Sequence, residues 1–230
     1  MKFSIIPLIV LLLNILCASN ASAQGKITRP TNQQSQTSNH KTSRNVTISE
    51  PDGYINGHGY VDLGLPSGTK WATCNVGASK VNGYGEYYAW GEVKPKSEYT
   101  KNNSLICEKN LGNIAGIPQY DAATYNWGSN WQIPGVEHFE ELKTRCKWVV
   151  ITYNGINGHK VTGPNGKSLF LPCGGCKQNY KEPYLGEGNY LTSDHDGYGP
   201  KWFNIYGDHS RQGYGDIDYY AGRSVRAVVR

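Results

Sequence analysis

The clearest helical period in this chain follows Pro134, where Val136, Phe139, Leu142 and Cys146 recur at spacings of 3, 3 and 4. That places four apolar side chains on one stripe of a 3.6-residue helix. Glu137, Glu140, Glu141, Lys143 and Arg145 take the other faces, acids mostly early and bases late, as the helix dipole favours. A shorter helix is expected over 121–127, with Asp121 capping its free N–H groups. Elsewhere the chain reads as short strands and turns. Residues 70–76 have strand character after a Pro66-Ser67-Gly68 turn. Residues 148–153 and 159–162 flank a turn over 154–158, and Asn165-Gly166 predicts a type I′ hairpin returning through 167–172. Val225, Ala227 and Val229 alternate with Arg226 and Val228, the pattern of a half-buried terminal strand. Residues 94–118 have no period and read as a long loop held by side-chain packing, with Cys107 as a candidate tie. The fold class that follows is α+β: two short helices before an antiparallel meander, with long loops. The 28 glycines and 17 tyrosines suit such a chain.

The N-terminus sets the compartment. Lys2, the apolar run of residues 5–13 and Ala21-Ser22-Ala23 form the three parts of a cleavable signal peptide, residues 1–23. The run is too short to span a bilayer, which takes about 20 apolar residues, and no later stretch is apolar enough. The expected location is therefore the periplasm, the cell surface or the medium. Cys17 would accept lipid in a lipoprotein signal, but Leu16 stands where such a signal needs a small residue. Residues 24–50 are polar and nearly free of large apolar side chains, which predicts a flexible arm before a single domain over 51–230. The formal charge is only +5 and the basic residues are scattered, so no nucleic-acid footprint is present.

Export makes disulfides the default use of Cys74, Cys107, Cys146, Cys173 and Cys176, although five is an odd number. Cys173-Gly174-Gly175-Cys176 is open to three uses: structural bridges, a redox pair, or half a zinc site. A redox thiolate favours a helix N-terminus, whereas this motif follows a strand-like segment. A zinc site needs four ligands, and the sequence has no second C-x-x-C and no spaced histidine pair. Asp194-His195-Asp196-Gly197 resembles part of a calcium loop. An EF-hand register would put Thr192 first and Phe203 twelfth, where carboxylates are required. No cofactor or metal is expected. The stretch 190–220 instead interleaves Tyr198, Tyr206, Tyr214 and Tyr219 with Asp194, His195, Asp196, His209, Arg211 and Asp216. Aromatic faces beside hydrogen-bonding groups on loops are what glycan or protein recognition requires, and these ten residues are the candidate ligand-binding set.

Several segments together resemble a family of exported bacterial proteins, the Fibrobacter succinogenes major paralogous domain, common in gut Bacteroidota. They are YVDLGLPSGTKWATCNVGA (60–78), GEYYAWGEVKPK (85–96), DAATYNWGSNWQIP (121–134), FEELKTRCKW (139–148), NGINGHKVTGPNGKSLFLP (154–172) and SVRAV (224–228). The resemblance implies a C-type-lectin-like fold, with two helices on a small twisted antiparallel sheet and long loops that carry binding. It implies no catalytic residues. It also implies that Cys74 and Cys146, which fall at recurring positions, pair. The chain departs from the family at Leu191-Thr192-Ser193, where Trp-Ser-Ser is usual, and at Cys173–Cys176, where small apolar residues are usual. Sulfatase-modifying proteins on the same scaffold act through two late cysteines, and this chain has none after Cys176. The expectation is an exported, non-enzymatic binding domain for a glycan or protein, acting through 190–220. A structural or adhesive surface component without a pocket is the alternative, and a thiol oxidoreductase using Cys173 and Cys176 comes last.

Overall fold

Short apolar runs separated by tight turns pair most readily with near neighbours, and here they form antiparallel ladders. A computed structural model describes residues 46–179, 183, 185–206, 212–216 and 219–230, all within the compact unit Arg44–Arg230. Cys17, the segment read as a signal peptide and most of the segment read as an arm lie outside the described residues. In chain order the elements begin with β1 (Gly53–Ile55), β2 (His58–Asp62), β3 (Lys70–Ala72), α1 (Ala122–Trp127), β4 (Trp131–Gln132) and α2 (Val136–Arg145). There follow β5 (Lys147–Tyr153), β6 (Ile156–Thr162), β7 (Ser168–Pro172), β8 (Cys176–Lys177) and β9 (Glu187–His195). The last are β10 (Pro200–Tyr206), β11 (Gln212–Asp216), β12 (Gly222–Arg223) and β13 (Val228–Val229). A five-stranded sheet runs β1-β2-β3-β13-β4, beside three-stranded sheets β5-β6-β7 and β11-β10-β9 and the pair β12-β8. The class is α+β. No helix among the described residues is long and apolar enough to cross a membrane.

Two apolar cores follow from the two-residue period of a strand, which sends adjacent side chains to opposite faces. Trp71 and Val228 join Phe139 and Leu142 of α2 in one core. Their neighbours Ala72 and Ala227 join Ala122, Ala123 and Trp127 of α1 in the other. Tyr190 and Leu191 of β9 divide in the same way. Hence the terminal strand is not half-buried as its alternation predicts: Arg226 and Val228 are as fully buried as Val225 and Ala227. An alternating pattern reports one wet face only when a single core is present.

Arg226 meets that interior through hydrogen bonds. Its guanidinium donates from Nε to Asn75 Oδ1 (2.8 Å), from one terminal nitrogen to the carbonyls of Ala72 and Thr73, and from the other to the Phe170 carbonyl (2.9 Å). All four partners are neutral oxygens, and burial pulls its pKa down. Asp121 does the equivalent work at α1. It caps Ala123 and Thr124 (2.8 and 3.0 Å) and also accepts from the N–H groups of Gly116 and Ile133. Burial raises its carboxyl pKa against the pull of those bonds.

Two local expectations are corrected. The type I′ turn falls at Asn154-Gly155, where φ is 48° and 82°, so that Tyr153 pairs directly with Ile156. At Asn165-Gly166 only Gly166 is left-handed (85°). There the loop closes through Gly163 N–H to the Lys167 carbonyl, and Asn165 instead donates its side-chain amide to the Asp62 carbonyl (2.8 Å). The strand expected over 70–76 ends at Ala72, because Asn75 turns inward to Arg226. Residues 46–50, at the end of the segment read as an arm, pack beside β7: Ile48 is buried and Ser49 exchanges hydrogen bonds with Ser168.

Residues 94–118 carry one 3-10 turn, Lys101–Asn103, and are held by buried Tyr99, Ile106 and Ile114. Glu92, buried, ion-pairs with Lys96 (2.8 Å) and accepts from Leu105 N–H (2.9 Å), so a carboxylate ties this loop. All five described cysteines are unpaired thiols. Cys74 packs against the α1 core and Cys146 against the α2 core, so the pair implied by the family resemblance is not formed.

Candidate binding surface

β9 and β10 form a hairpin in which Asp194 and His195 end β9 and Asp196 and Tyr198 lie in the turn, and the loop before β12 brings Tyr219 to the same end. Gly197 N–H donates to His195 Nδ1 (3.0 Å). A neutral imidazole that accepts at Nδ1 holds its proton on Nε2, so Nε2–H donates to Tyr219 Oη, 2.5 Å away. Beneath both rings lies Trp90, wholly buried and anchored by its indole N–H to the Thr192 carbonyl (3.2 Å). Its centroid is 5.5 Å from the His195 ring and 5.9 Å from the Tyr219 ring. Burial raises the Tyr219 phenol, helped by Cys107 and Glu108 nearby. The phenol therefore keeps its own proton, and its oxygen already accepts one hydrogen bond. Chained hydrogen bonds polarise one another, which makes Tyr219 an oriented donor at a half-buried position.

The two aspartates serve the fold instead. Asp194 accepts from the Asn113 side-chain amide (3.0 Å) and from Val136 N–H at the start of α2 (2.7 Å). Asp196 ion-pairs with Lys201 (2.5 Å) and accepts from the N–H groups of Tyr198 and Gly199. The Lys201 bond, then those backbone bonds, hold its pKa at about 2. No group of three or more metal-ligating side chains occurs among the described residues. Tyr198 is 91% exposed beside this turn.

Tyr206 does not join this patch. Tyr206 lies at the far end of the hairpin, opposite Glu187, and its carbonyl bonds His159 Nε2 (2.7 Å). Tyr214 and Asp216 stand on β11, opposite Phe203 and Lys201 in register. His209 and Arg211 fall outside the described residues. The structure thus unites His195, Tyr219 and the adjoining Tyr198, with Trp90 as a floor that sequence reasoning missed. The signal for Trp90 was the aromatic run at 87–90, whose burial only the packing reveals.

A nucleophilic thiol needs a low pKa. Cys173 is buried, and burial followed by Glu187 pushes its thiol up to about 12. Cys146 is raised to about 11 by the same cause, with Glu141 second. Away from 190–220 the structure also holds a cleft of about 550 Å³ between the β1–β2 hairpin and residues 73–81. Sequence reasoning placed none of its residues in a binding site, because its walls come from segments that are distant in the chain. No family model, curated protein or solved structure matches this chain.

Proposed function

We propose that this chain is an exported, non-enzymatic binding domain with a C-type-lectin-like fold, recognising a glycan or protein ligand through loops within 190–220. The observation that carries the reading is the His195–Tyr219 relay seated on buried Trp90, next to the exposed ring of Tyr198. A fixed donor beside an aromatic face suits a ligand that offers an acceptor and an apolar surface. The high thiol of Cys173 argues against use of the C-x-x-C pair as a redox centre. The family resemblance supports the fold and the export, and the long packed loops accord with the fold.

The test is a glycan and protein array probed with the chain lacking residues 1–23, followed by Tyr198→Ala and Tyr219→Phe. A ligand whose binding falls in both variants, with the fold intact, is the expected outcome. Silence on every array, or a ligand indifferent to both substitutions, removes the proposal.

A further inference from the structure

Tyr54 is an aromatic ring left 69% exposed on a strand, and it lines a cleft. Its cross-strand partner is Gly59. Paired residues point to one face, so Tyr54 and the bare Cα of Gly59 share the face that lines the cleft. Thr73 and Pro51 close in over Gly59, where a Cβ would lie 2.9 Å from Thr73 Oγ1 and 3.0 Å from Pro51 Cγ, so only glycine lets them pack there. Around it stand Glu50, His58, Thr73 and Ser79, in the cleft of about 550 Å³. The volume lies within the range of about 300–1,000 Å³ usual for small-molecule sites.

The hairpin that forms the wall is rigid. Asn56-Gly57 makes a two-residue turn with φ of 50° and 80°, and Asn56 donates its side-chain amide to the Trp127 carbonyl (2.8 Å). Trp131 Nε1 donates to the Ile55 carbonyl (3.1 Å), and the His58 ring stacks on Trp127 at 3.9 Å and 12°. A cleft held in this way loses little freedom when it is filled.

We propose that this cleft is a binding site for a neutral saccharide of one or two rings, separate from the 190–220 surface. The lining selects that chemistry. The Tyr54 ring offers a face to the C–H side of a pyranose, and Pro51 and Val81 add apolar edge. Glu50 is an acceptor-only carboxylate suited to a pair of adjacent hydroxyl protons. Thr73 and Ser79 supply hydroxyls that both donate and accept. Among the described residues no lysine or arginine lines the cleft, a lining unsuited to a phosphate or a carboxylate ligand. Burial lowers the His58 pKa, which keeps that imidazole neutral at neutral pH. None of the described lining residues comes from 190–220.

The test is an amide NMR titration of the chain lacking residues 1–23 with the methyl glycosides of glucose, galactose, mannose and xylose, and with sodium phosphate. At least one glycoside is expected to shift amides of residues 54–59 and 73–79, while phosphate leaves them in place. Tyr54→Ala and Glu50→Gln, each on a surface that the core does not need, should weaken that glycoside about tenfold or more. The proposal is overturned if no glycoside moves those amides, if phosphate moves them instead, or if the shifting glycoside binds both variants as it binds the parent. Shifts confined to residues 195–198 and 219 would overturn it while supporting the C-terminal surface, so the two readings fail separately.

Discussion

The C-terminal surface and the β1–β2 cleft hold similar residues but use them differently. At the C-terminal surface the fold engages both aspartates, Asp194 half-buried and Asp196 exposed. Asp194 joins residue 113 to the start of α2, and Asp196 closes its own turn. What remains available there is a tyrosine hydroxyl oriented by His195. In the cleft the structural bonds are made behind the wall, by Asn56, Trp127 and Trp131, and the lining carboxylate is left on an exposed residue. An acidic or aromatic residue is therefore no guide to binding until its internal partners are known.

That contrast can be broken by substitution, and the interior sets the upper limit. Arg226→Ala would strand four oxygens and open a cavity, and a loss of about 4 kcal/mol is expected in denaturant unfolding. A loss below about 1 kcal/mol would mean the buried junction relaxes freely. Asp194→Ala should cost about 2 kcal/mol, because it leaves Val136 N–H and the Asn113 amide without their acceptor. If it abolished ligand binding with stability unchanged, the division drawn above would be wrong. Tyr219→Phe keeps the ring on Trp90 and removes the acceptor for His195, so about 1 kcal/mol is expected, with binding reduced more than stability. Tyr54→Ala should change stability by no more than about 0.5 kcal/mol, as for an exposed side chain outside the core.

The smallest effect is electrostatic. Asp196 has a depressed folded pKa, so its contribution is complete above the unfolded carboxylate range of about 3.9. It is lost as pH falls through about 2. A carboxyl titration followed by NMR should find Asp196 well below the exposed aspartates, and Lys201→Gln should bring it back toward them. An ordinary value in the parent chain would remove Asp196 from the turn's supports.

The helices were legible because their signals are local. The 136–146 stripe needs only its own period, and the Asp121 cap needs only the N–H groups of Ala123 and Thr124. The hairpins were legible in part. The turn pairs Asn154-Gly155 and Asn165-Gly166 carry the same residues, yet only Asn154-Gly155 takes two left-handed conformations. The other is decided by Asn165 reaching Asp62, more than a hundred residues away in the chain. Of the candidate site, His195, Tyr198 and Tyr219 were found from composition. The fate of Asp194 was not, since its partners lie at Asn113 and Val136.

Sequence alone thus determined the α+β class, both helices, the Asp121 cap and a tyrosine-rich C-terminal stretch, all properties of neighbouring residues. Tertiary structure decided which polar groups remain available. It buried Arg226 between two cores, consumed Asp194 at the start of α2, and opened a cleft behind Gly59. The physical reason is that a hydrogen-bonding group is satisfied by whatever oxygen or N–H packing brings within about 3 Å, and packing joins residues that the chain keeps far apart.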